Sequence, residues 1–299
     1  MLASTAAATA QTRPAFEVDR IADGVFVHSG LQAEADDRNH GDIANLGFVI
    51  GADCVAVIDT GGSPYVGRAL RRAIEVRTST PVCYVINTHM HPDHVFGNAA
   101  FADTDARYIA AAGFAHALAA RRTTYLKRAE RTLGVAVSDG WIVMPDDVVD
   151  SRMRLDLGGR SLQLTAWADA HTDNDLTVFD EASHTLFTGD LLFVDRVPAI
   201  DASLSGWLDV TASLDALARE VAHVVPGHGP AGQGLDAMLA PQTHYLEAIR
   251  DQVQSAIDDG YGLAYTTRHV ARGERDRWLL FDDYHVRNVT AAYTELEWQ

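Results

Sequence analysis

Lysine is almost missing from this sequence: Lys127 stands alone among 24 basic residues, and 41 acidic residues outnumber them. The formal net charge at pH 7 is therefore −17. A chain of that sign repels phosphate backbones and anionic membrane surfaces, so neither nucleic acid nor a membrane is expected as a partner. The charge restricts small-molecule substrates much less, because a bound metal ion reverses the sign of the local field.

Cysteine and long apolar runs are scarce as well. Cys54 and Cys83 each lie inside a short apolar run, which favours two buried thiols in two strands, with a disulfide between them as the alternative. No run approaches the roughly eighteen apolar residues that a membrane span needs. The cysteines do not decide the redox compartment, since both alternatives remain open.

Length and composition suggest how the chain is divided. The 299 residues, 47% of them hydrophobic, can bury a sizeable core. Residues 1–15 are rich in small residues and are interpreted as a leader, the remnant of a secretory signal. That interpretation predicts a periplasmic location, but the basic start and the apolar stretch of a signal are missing, so the cytoplasm is the alternative. Residues 16–299 are predicted to form one domain, with 241–299 as a C-terminal helical cap.

Hydrophobic patterning predicts an α/β fold. A strand, a helix at about 64–77 and the strand PVCYVINTH follow one another within about forty residues, which is typical of a βαβ unit. Helices are also predicted at about 112–134 and at 205–220, and the latter lies between two later strands and repeats the unit. The other strand-like segments are GVFVHSG, LGFVIG, CVAVIDTGG, RLDLGG, SLQLTAW, LTVFD, TLFTGD and HVVPG.

Polar clusters follow four of these strands, where open α/β sheets usually carry their chemistry. They are HMHPDH at 89–94, AHTDND at 170–175, FTGDLLF at 187–193 and VVPGHGP at 224–230. Imidazoles and carboxylates bind zinc, and a catalytic zinc ion keeps one position for water. Seven such side chains are too many for one ion and suit two ions that share a carboxylate, so two Zn²⁺ per chain are predicted. The candidate ligands are His89, His91, Asp93, His94, His171, Asp190 and His228.

The remaining histidines lack this position at a strand end. They are interpreted as surface or packing residues, a group that includes His116, His184, His223 and His244. A single histidine in such a setting more often satisfies a local hydrogen bond than binds a metal ion.

The four clusters, together with IDTG at 58–61, resemble the motifs of the metallo-β-lactamase superfamily; the later motifs are TGD at 188–190 and PGH at 226–228. The resemblance implies an αββα sandwich over residues 16–299, with a dinuclear metal site at one edge. It implies that Asp59 orients the metal-binding loop and that Asp190 bridges the two ions. It assigns the other ligands to two sets, with His89, His91 and His171 on the first zinc and Asp93, His94 and His228 on the second.

A narrower resemblance covers nearly the whole chain. GDIANLGFVIG, PVCYVINTHMHPDHVFGNAAF, AHTDNDLTVFD, TGDLLFVDR and RWLLFDDYHVRNVTAAYTELEW are similar to quinoprotein relay system zinc metallohydrolases, which are related to SoxH. Members of that group usually carry a secretory signal. The resemblance implies work in the periplasm beside a quinoprotein (PQQ) dehydrogenase, and it does not supply the small-molecule substrate.

The resemblance also implies a reaction. Two zinc ions would hold a bridging hydroxide, because metal coordination lowers the pKa of water to about 7. The hydroxide would attack the carbonyl carbon of an ester, thioester, lactone or lactam. Asp190 would hold the ions together, and Asp93 would orient the hydroxide and pass its proton on.

Two other functions remain open at this point. Related sequences hold a single iron ion on two histidines and one aspartate and oxidise persulfides, so a mononuclear-iron persulfide dioxygenase is one alternative. A non-catalytic accessory protein with a structural metal is the other. The complete set of seven ligands favours the dinuclear hydrolase over both.

Two segments outside the metal motifs are candidates for the walls of a substrate pocket. If the resemblance holds, the loop at 31–42 overhangs the site, although a solvated hairpin loop is the favoured interpretation. The tail carries a dense polar and aromatic group that either completes the pocket or fixes the cap. The residues concerned are His40, Asp42 and Asn45 near the loop, and Asp282, Asp283, Tyr284, His285 and Arg287 in the tail.

Overall fold

The computed structural model describes residues 16–298, so the predicted leader at 1–15 lies outside the described residues. The strands are β1 (Asp19–Ala22), β2 (Val25–His28), β3 (Leu46–Ile50), β4 (Val55–Ile58), β5 (Val82–Ile86), β6 (Arg107–Ala111), β7 (Asp147–Val149), β8 (Arg152–Asp156), β9 (Ser161–Trp167), β10 (Asp175–Asp180), β11 (Thr185–Phe193) and β12 (His223–His228). The α-helices are α1 (Pro64–Glu75), α2 (Pro92–Val95), α3 (Phe114–Leu133), α4 (Leu204–Asp215), α5 (Leu235–Asp258), α6 (Leu263–His269) and α7 (Phe281–Leu296). None of these helices is long and apolar enough to cross a membrane.

The strands form two sheets that pack face to face. The first sheet has the order β1-β2-β3-β4-β5-β6-β7, and the second has the order β12-β11-β10-β9-β8. Buried side chains of both sheets, among them Ile58, Ile86, Leu164 and Val178, form one apolar cluster between the layers. Helix α1 covers the outer face of the first sheet, and α4, α5 and α7 cover the second. The predicted αββα sandwich with C-terminal helices is confirmed.

Both predicted βαβ units are present. Strands β4 and β5 are parallel and are joined by α1, which begins at Pro64 after the capping side chain of Ser63. Strands β11 and β12 are parallel and are joined by α4, where the side chain of Ser203 accepts a hydrogen bond from the Gly206 backbone N–H. Each unit therefore carries the carboxyl ends of two parallel strands to the same edge of its sheet.

Two helix boundaries differ from the sequence prediction. Helix α4 was predicted to extend to residue 220. It ends at Asp215, and residues 216–220 form turns instead. Helix α5 begins at Leu235 and contains Pro241, which the prediction had placed at the helix start. Buried Leu239 and Leu246 continue the apolar stripe across the proline, and their burial outweighs the one backbone hydrogen bond that Pro241 cannot make.

The prediction of two buried thiols is wrong. Cys54 and Cys83 form a disulfide, both are only partly buried, and no described cysteine is free. Val55 and Val82 are register partners at the start of the parallel strands β4 and β5, which brings the two cysteine Cα atoms to 5.6 Å. That separation lies within the usual range for a disulfide. The bond joins the amino ends of the two strands whose carboxyl ends lead to the polar clusters.

A second link closes the same end of the sandwich. The guanidinium of Arg160, in the β8–β9 turn, donates to both carboxylate oxygens of Asp180 at 2.9 and 2.6 Å and to the Asp23 carbonyl at 2.8 Å. Asp180 is fully buried and also accepts hydrogen bonds from the Ser183 side chain and backbone. Burial alone would raise the pKa of Asp180, but Arg160 and Ser183 hold it below its usual value. We refer to Arg160, Asp180 and Ser183 as the far-end clasp.

Candidate metal centre

All seven predicted ligands meet at the edge of the sandwich where β5, β11 and β12 end. His89 and His91 follow β5, and Asp93 and His94 lie on the short helix α2 that comes next. The other three come from the second sheet, with His171 in the β9–β10 loop, Asp190 within β11 and His228 at the end of β12. They form two neighbouring groups in which the ligand atoms lie within 4.8 Å of one another, His89, His91, His171 and Asp190 in one and Asp93, His94 and His228 in the other.

Two glycines explain why the motifs of the second sheet read TGD and PGH. A Cβ atom on Gly227 would lie 1.9 Å from the Asp190 Oδ1 atom, so any side chain there would displace the carboxylate. Gly189 has a φ of +52° and packs against Thr88, where a Cβ atom would come within 2.6 Å of that side chain. Glycine at these positions lets the two strands and the β5 loop approach closely enough to bring their ligands together.

The first group has the spacing of a tetrahedral ligand set. The Nδ1 atom of His91 lies 3.1 Å from His89 Nε2 and 2.9 Å from His171 Nε2. The Oδ2 atom of Asp190 lies 3.6 Å from His89 Nε2 and 3.3 Å from His171 Nε2. Ligands about 2.0 Å from a tetrahedral zinc ion lie roughly 3.3 Å from one another, so these four atoms surround a space of the right size.

The second group lies on the other side of the Asp190 carboxylate. The Nε2 atom of His228 lies 3.3 Å from Asp93 Oδ2 and 3.4 Å from Asp190 Oδ2. The Nε2 atom of His94 lies 3.1 Å from Asp190 Oδ1 and 3.8 Å from Asp93 Oδ2. Asp190 therefore reaches nitrogen atoms of both groups.

Hydrogen bonds on the outer side of each ring orient the imidazoles of the loop after β5. Asp59 accepts hydrogen bonds from the Thr88 backbone N–H and hydroxyl at 2.8 and 2.7 Å, and its Oδ2 atom lies 2.8 Å from His94 Nδ1. The Thr88 oxygen in turn lies 3.1 Å from His89 Nδ1. Asp59 thus holds the loop in the manner that the superfamily resemblance implies.

The other three imidazoles have acceptors of their own. His171 Nδ1 lies 2.6 Å from the Ala199 carbonyl, and His228 Nδ1 lies 2.8 Å from the Ile43 carbonyl. His91 Nε2 lies 3.4 Å from an oxygen of Asp201. Each ring can therefore carry its proton on the outer nitrogen and turn the unprotonated nitrogen toward the cluster, which is the form that binds a metal ion.

Two buried atoms at the centre lack hydrogen-bond partners in the described part of the chain and suit a metal ion. His94 Nε2 and Asp190 Oδ1 make no hydrogen bond to any other described atom, although they lie only 3.1 Å apart. Leaving a buried polar atom unpaired is costly, and a cation between the two atoms would satisfy both. The donor set of imidazoles and carboxylates is the one that zinc and iron prefer.

The charges inside the cluster support the same interpretation. Burial lowers the pKa of His171 to about 4 and also places the pKa of His89 well below its ordinary value. Burial alone would raise the pKa of Asp93, but His94 and His228 hold it well below its usual range. Asp190 is likewise held far below its ordinary pKa, against burial, by His228 and His94. Against burial, Asp190 and Asp93 in turn raise the pKa of His94 and His228, so the cluster contains ionised carboxylates whose charge is balanced at His94 and His228 in the absence of a cation.

The cluster forms the floor of a cavity of about 410 Å³. Phe96 and Phe193 give it apolar walls. Four arginines also face it: Arg121 and Arg128 from α3, Arg196 after β11, and Arg287 from α7. The remaining polar lining includes Glu34, Tyr125, Asp201 and Tyr284.

The loop at 31–42 lines the cavity, but through other residues than those predicted. Glu34 and Ala35 reach the cavity, whereas His40 packs against the ring of Tyr65 and Asp42 lies 2.7 Å from the His28 Nε2 atom. Asn45 is buried and donates to the carbonyls of Pro226, the first residue of the PGH motif, and of Gly229, which follows the motif. The loop joins the antiparallel strands β2 and β3 and is a hairpin loop, as the favoured interpretation states, but it is only partly solvated because Glu34 and Ala35 face the cavity and Asn39 is buried.

The tail group does both of the things that the sequence left open. Tyr284 and Arg287 line the cavity. His285 is buried between the Tyr245 hydroxyl and the Val270 carbonyl and so fixes the cap. Asp282 faces outward and pairs with Arg275.

A comparison with protein families gives one match. Residues 41–228, which include all seven candidate ligands, match the model of the metallo-β-lactamase superfamily. The chain belongs to the metallo-β-lactamase superfamily. A search of curated protein sequences gave no significant match.

Solved structures of superfamily folds are similar over different shares of the chain. The stereoselective inverting sec-alkylsulfatase Pisa1 from Pseudomonas sp. covers 93% of this chain with a TM-score of 0.74 at 18% identity. This chain spans only 50% of that protein. A metallo-β-lactamase from Pontibacter korlensis covers 77% of this chain, and 98% of its own length is matched, with a TM-score of 0.63 at 21% identity. At these identities the likeness concerns the fold.

Sequence reasoning missed three residues that contact the cluster or its nearest neighbours. Asp201 touches His91, Arg196 touches His228, and Glu34 lies beside Arg196. Arg196 and Asp201 follow β11 by only a few residues, so their closeness to the TGD motif was the available signal. Glu34 lies in the loop that the resemblance places over the site, but nothing in the sequence distinguished it from its neighbours, because its position depends on how the loop folds over the cavity.

Proposed function

We propose that this protein is a hydrolase that uses two zinc ions, held by the seven-residue cluster, to cleave an ester, thioester, lactone or lactam in a small molecule. One observation carries the proposal: the Asp190 carboxylate lies within 3.6 Å of imidazole nitrogens from both ligand groups. A carboxylate so placed suits two ions and is not needed by one. The proposed ligand sets are those named above, with Asp190 between them.

The roles of the chain's own residues follow from the cavity. Zinc ions bound there supply a Lewis acid and a water molecule that ionises near neutral pH. Asp93 lines the cavity, where its carboxylate is placed to orient an attacking water and to accept its proton. Burial raises the pKa of Tyr125, so its phenol stays protonated and can donate a hydrogen bond to a substrate oxygen. Phe96 and Phe193 exclude water from the reacting groups.

A sulfate ester is a second candidate substrate class. The alkylsulfatase fold covers 93% of this chain, against 77% for the metallo-β-lactamase, so its likeness extends further into the chain. Four arginines around the cavity suit the charge of a sulfate group. The metal cluster alone is compatible with either class of ester.

The test is a comparison of zinc-loaded and chelated protein. A carboxyl ester, a thioester, a lactone, a lactam and a sec-alkyl sulfate are each offered to both forms. We expect turnover of one class, its loss on chelation and in His91→Ala, and its retention in His116→Ala, where an exposed histidine on α3 is removed. No turnover of any class by the zinc-loaded protein, or turnover that survives chelation, would overturn the proposal.

Location and partner are separate proposals. We propose a periplasmic location, which the Cys54–Cys83 disulfide supports because disulfides persist in oxidising compartments. Association with a quinoprotein dehydrogenase rests on the narrower sequence resemblance. Fractionation of cells that express the protein tests the location, and co-purification with a PQQ-dependent dehydrogenase from the periplasmic fraction tests the partner.

A further inference from the structure

The cavity concentrates positive charge in a chain whose net charge is −17. Two of its four arginines already share a carboxylate, since Arg121 and Arg287 lie 3.3 and 2.9 Å from the oxygens of Asp201. Asp201 also contacts His91. Arg128 and Arg196 remain, and the carboxylate nearest to both belongs to Glu34.

Arg196 is a buried cation that is only loosely paired. Its side chain is 4% exposed. Its closest contacts are the Tyr284 hydroxyl at 3.0 Å, His228 Nδ1 at 3.3 Å, and the Ala33 carbonyl and Glu34 Oε1 at 3.4 Å. Guanidinium–carboxylate hydrogen bonds are usually about 2.8 Å, so none of these compensates the buried charge well.

Glu34 reaches this position from the loop and is itself held by one short bond. Its Oε1 atom accepts a hydrogen bond from the Tyr284 hydroxyl at 2.5 Å, and its Oε2 atom lies 3.9 Å from Arg128. The Glu34 carbonyl accepts a hydrogen bond from the Asn39 side chain at 2.8 Å. The backbone is therefore fixed, while rotation about the side-chain bonds alone would remove the carboxylate from Arg196.

We propose that Arg196, Tyr284 and Arg128 form an oxyanion subsite beside the metal cluster, and that Glu34 occupies it as an internal substitute which an anionic group of the substrate displaces. The group is a carboxylate, a sulfonate or a sulfate. Burial raises the pKa of Tyr284, so its hydroxyl remains a donor to whichever anion is present.

The location of the subsite restricts the class of substrate. This inference rests on the proposed function. Arg196 contacts the outer nitrogen of His228, whose other nitrogen faces the metal cluster. A substrate that bound both sites would therefore carry its anionic group a short distance from the bond that is cleaved. Neutral esters and lactones would lack this contact.

The test uses methanesulfonate, which carries one anionic group and binds metal ions weakly, and dimethyl sulfone as its neutral analogue. Saturation-transfer NMR titrations on the zinc-loaded protein give dissociation constants from the methyl signal of each compound. We expect Glu34→Gln to bind methanesulfonate about tenfold more tightly than the unsubstituted protein, if Glu34 occupies the subsite roughly nine-tenths of the time. Dimethyl sulfone should bind both proteins equally.

The chain offers a matched control. Glu181 pairs with Arg154 on the second sheet, and the side-chain exposures of that pair, 39% and 66%, match the 42% and 63% of Glu34 and Arg128. Glu181→Gln removes the same charge and should leave methanesulfonate binding unchanged. In the Glu34→Gln protein, Arg128→Gln should weaken binding several-fold, and Arg154→Gln should not.

Equal affinities in Glu34→Gln and Glu181→Gln would overturn the subsite, as would an equal gain for dimethyl sulfone. The result is independent of catalysis, because methanesulfonate contains no bond that the hydrolase would cleave. Anion binding without any turnover would sustain the subsite and count against the hydrolase. If the protein hydrolyses a neutral ester and Glu34→Gln does not change methanesulfonate binding, the hydrolase would be supported and the subsite would be overturned.

Discussion

The two ends of the sandwich bury charge in opposite ways. At the far-end clasp, Arg160 and Asp180 meet at 2.6 Å, and Ser183 and the Asp23 carbonyl take up further hydrogen-bonding positions. At the metal centre, two carboxylates and five imidazoles face one another, and His94 Nε2 and Asp190 Oδ1 have no hydrogen-bond partner among the described residues. The clasp contains a permanent cation beside its carboxylate, whereas the seven candidate ligands include two carboxylates and no permanent cation.

That difference separates stability from function. A buried ion pair that is fully hydrogen-bonded can hold two sheets together without any other component. A cluster in which carboxylates and imidazoles converge is instead completed by a cation that balances the carboxylates. The binding energy of that cation then adds to folding stability. We therefore expect substitutions at the clasp to change stability with little effect on metal affinity, and substitutions behind the ligands to do the opposite.

The largest expected effect on stability is at the clasp. Arg160→Met removes the guanidinium and leaves Asp180 buried with Ser183 alone, which should lower the free energy of unfolding by about 3–5 kcal/mol. Denaturant titration of the zinc-loaded protein measures the loss. Arg154→Met, at an exposed arginine on the same sheet, should cost much less because surface ion pairs contribute about 0–1 kcal/mol. Loss of bound metal in Arg160→Met would break the comparison.

The contribution of the clasp should depend on pH. The folded pKa of Asp180 lies below its ordinary value, so the stabilisation is fully present above the unfolded pKa of about 3.9 and is lost as the pH falls through the folded pKa. In Arg160→Met, burial without the guanidinium raises the pKa of Asp180, so the stability difference between the unsubstituted protein and this variant should fall as the pH drops from neutral values and should be smallest below about pH 4. A difference that grew on acidification would contradict this account of the pair.

The disulfide should come next. The double variant Cys54→Ser and Cys83→Ser releases a link between residues 29 apart in sequence, which the chain-entropy model values at about 3.6 kcal/mol. Thermal unfolding with and without a reducing agent measures the change, and reduction should not affect the double variant. Metal content should stay constant, because the bond lies at the opposite ends of β4 and β5 from the ligands.

The third effect is on metal affinity. Asp59→Asn keeps the shape of the side chain but weakens the hydrogen bonds to Thr88 and His94, and should lower zinc affinity by about 10–100-fold. Competition with a coloured chelator gives the affinity. Asp53→Asn, at an exposed aspartate before β4, is the control and should have no effect. The free energy of unfolding of both proteins should also be measured in chelator. Equal values would show that Asp59→Asn weakens metal binding and does not destabilise the metal-free fold.

The smallest effect should come from the more exposed partner of His91. Asp201→Asn weakens a contact of 3.4 Å and leaves Arg121 and Arg287 without their shared carboxylate. We expect about a tenfold loss of zinc affinity, at the lower end of the range for such partners. The same chelator competition measures it, and a loss larger than that of Asp59→Asn would reverse the predicted order.

The sequence predicted the elements and the convergence of the seven candidate ligands for the same physical reason. Apolar alternation and turn residues are local signals, and the ligands follow directly on strands whose carboxyl ends meet at one edge. The start of α5 was misplaced because Pro241 is a local stop signal that the packing of Leu239 and Leu246 overrides. The disulfide was only the alternative to two buried thiols, because its formation depends on which two strands are neighbours in the sheet.

The cavity walls were less predictable than its floor. Glu34 and Tyr284 are 250 residues apart in sequence and meet only because the loop after β2 and helix α7 close over the same edge. No periodicity or spacing carries that information. Among the predictions for the cavity walls, the one for the tail agrees best with the structure. It named Tyr284 and Arg287 among residues that complete a pocket or fix the cap, and both line the cavity.

The most direct test of the central claim is the metal content of the purified protein, expressed without added metal and measured by elemental analysis. We predict about two zinc ions per chain, and fewer in Asp190→Ala and His91→Ala than in the His116→Ala control. One iron ion per chain would contradict the dinuclear zinc site and favour the persulfide dioxygenase. No bound metal in the folded protein would contradict the assignment of the seven residues as ligands.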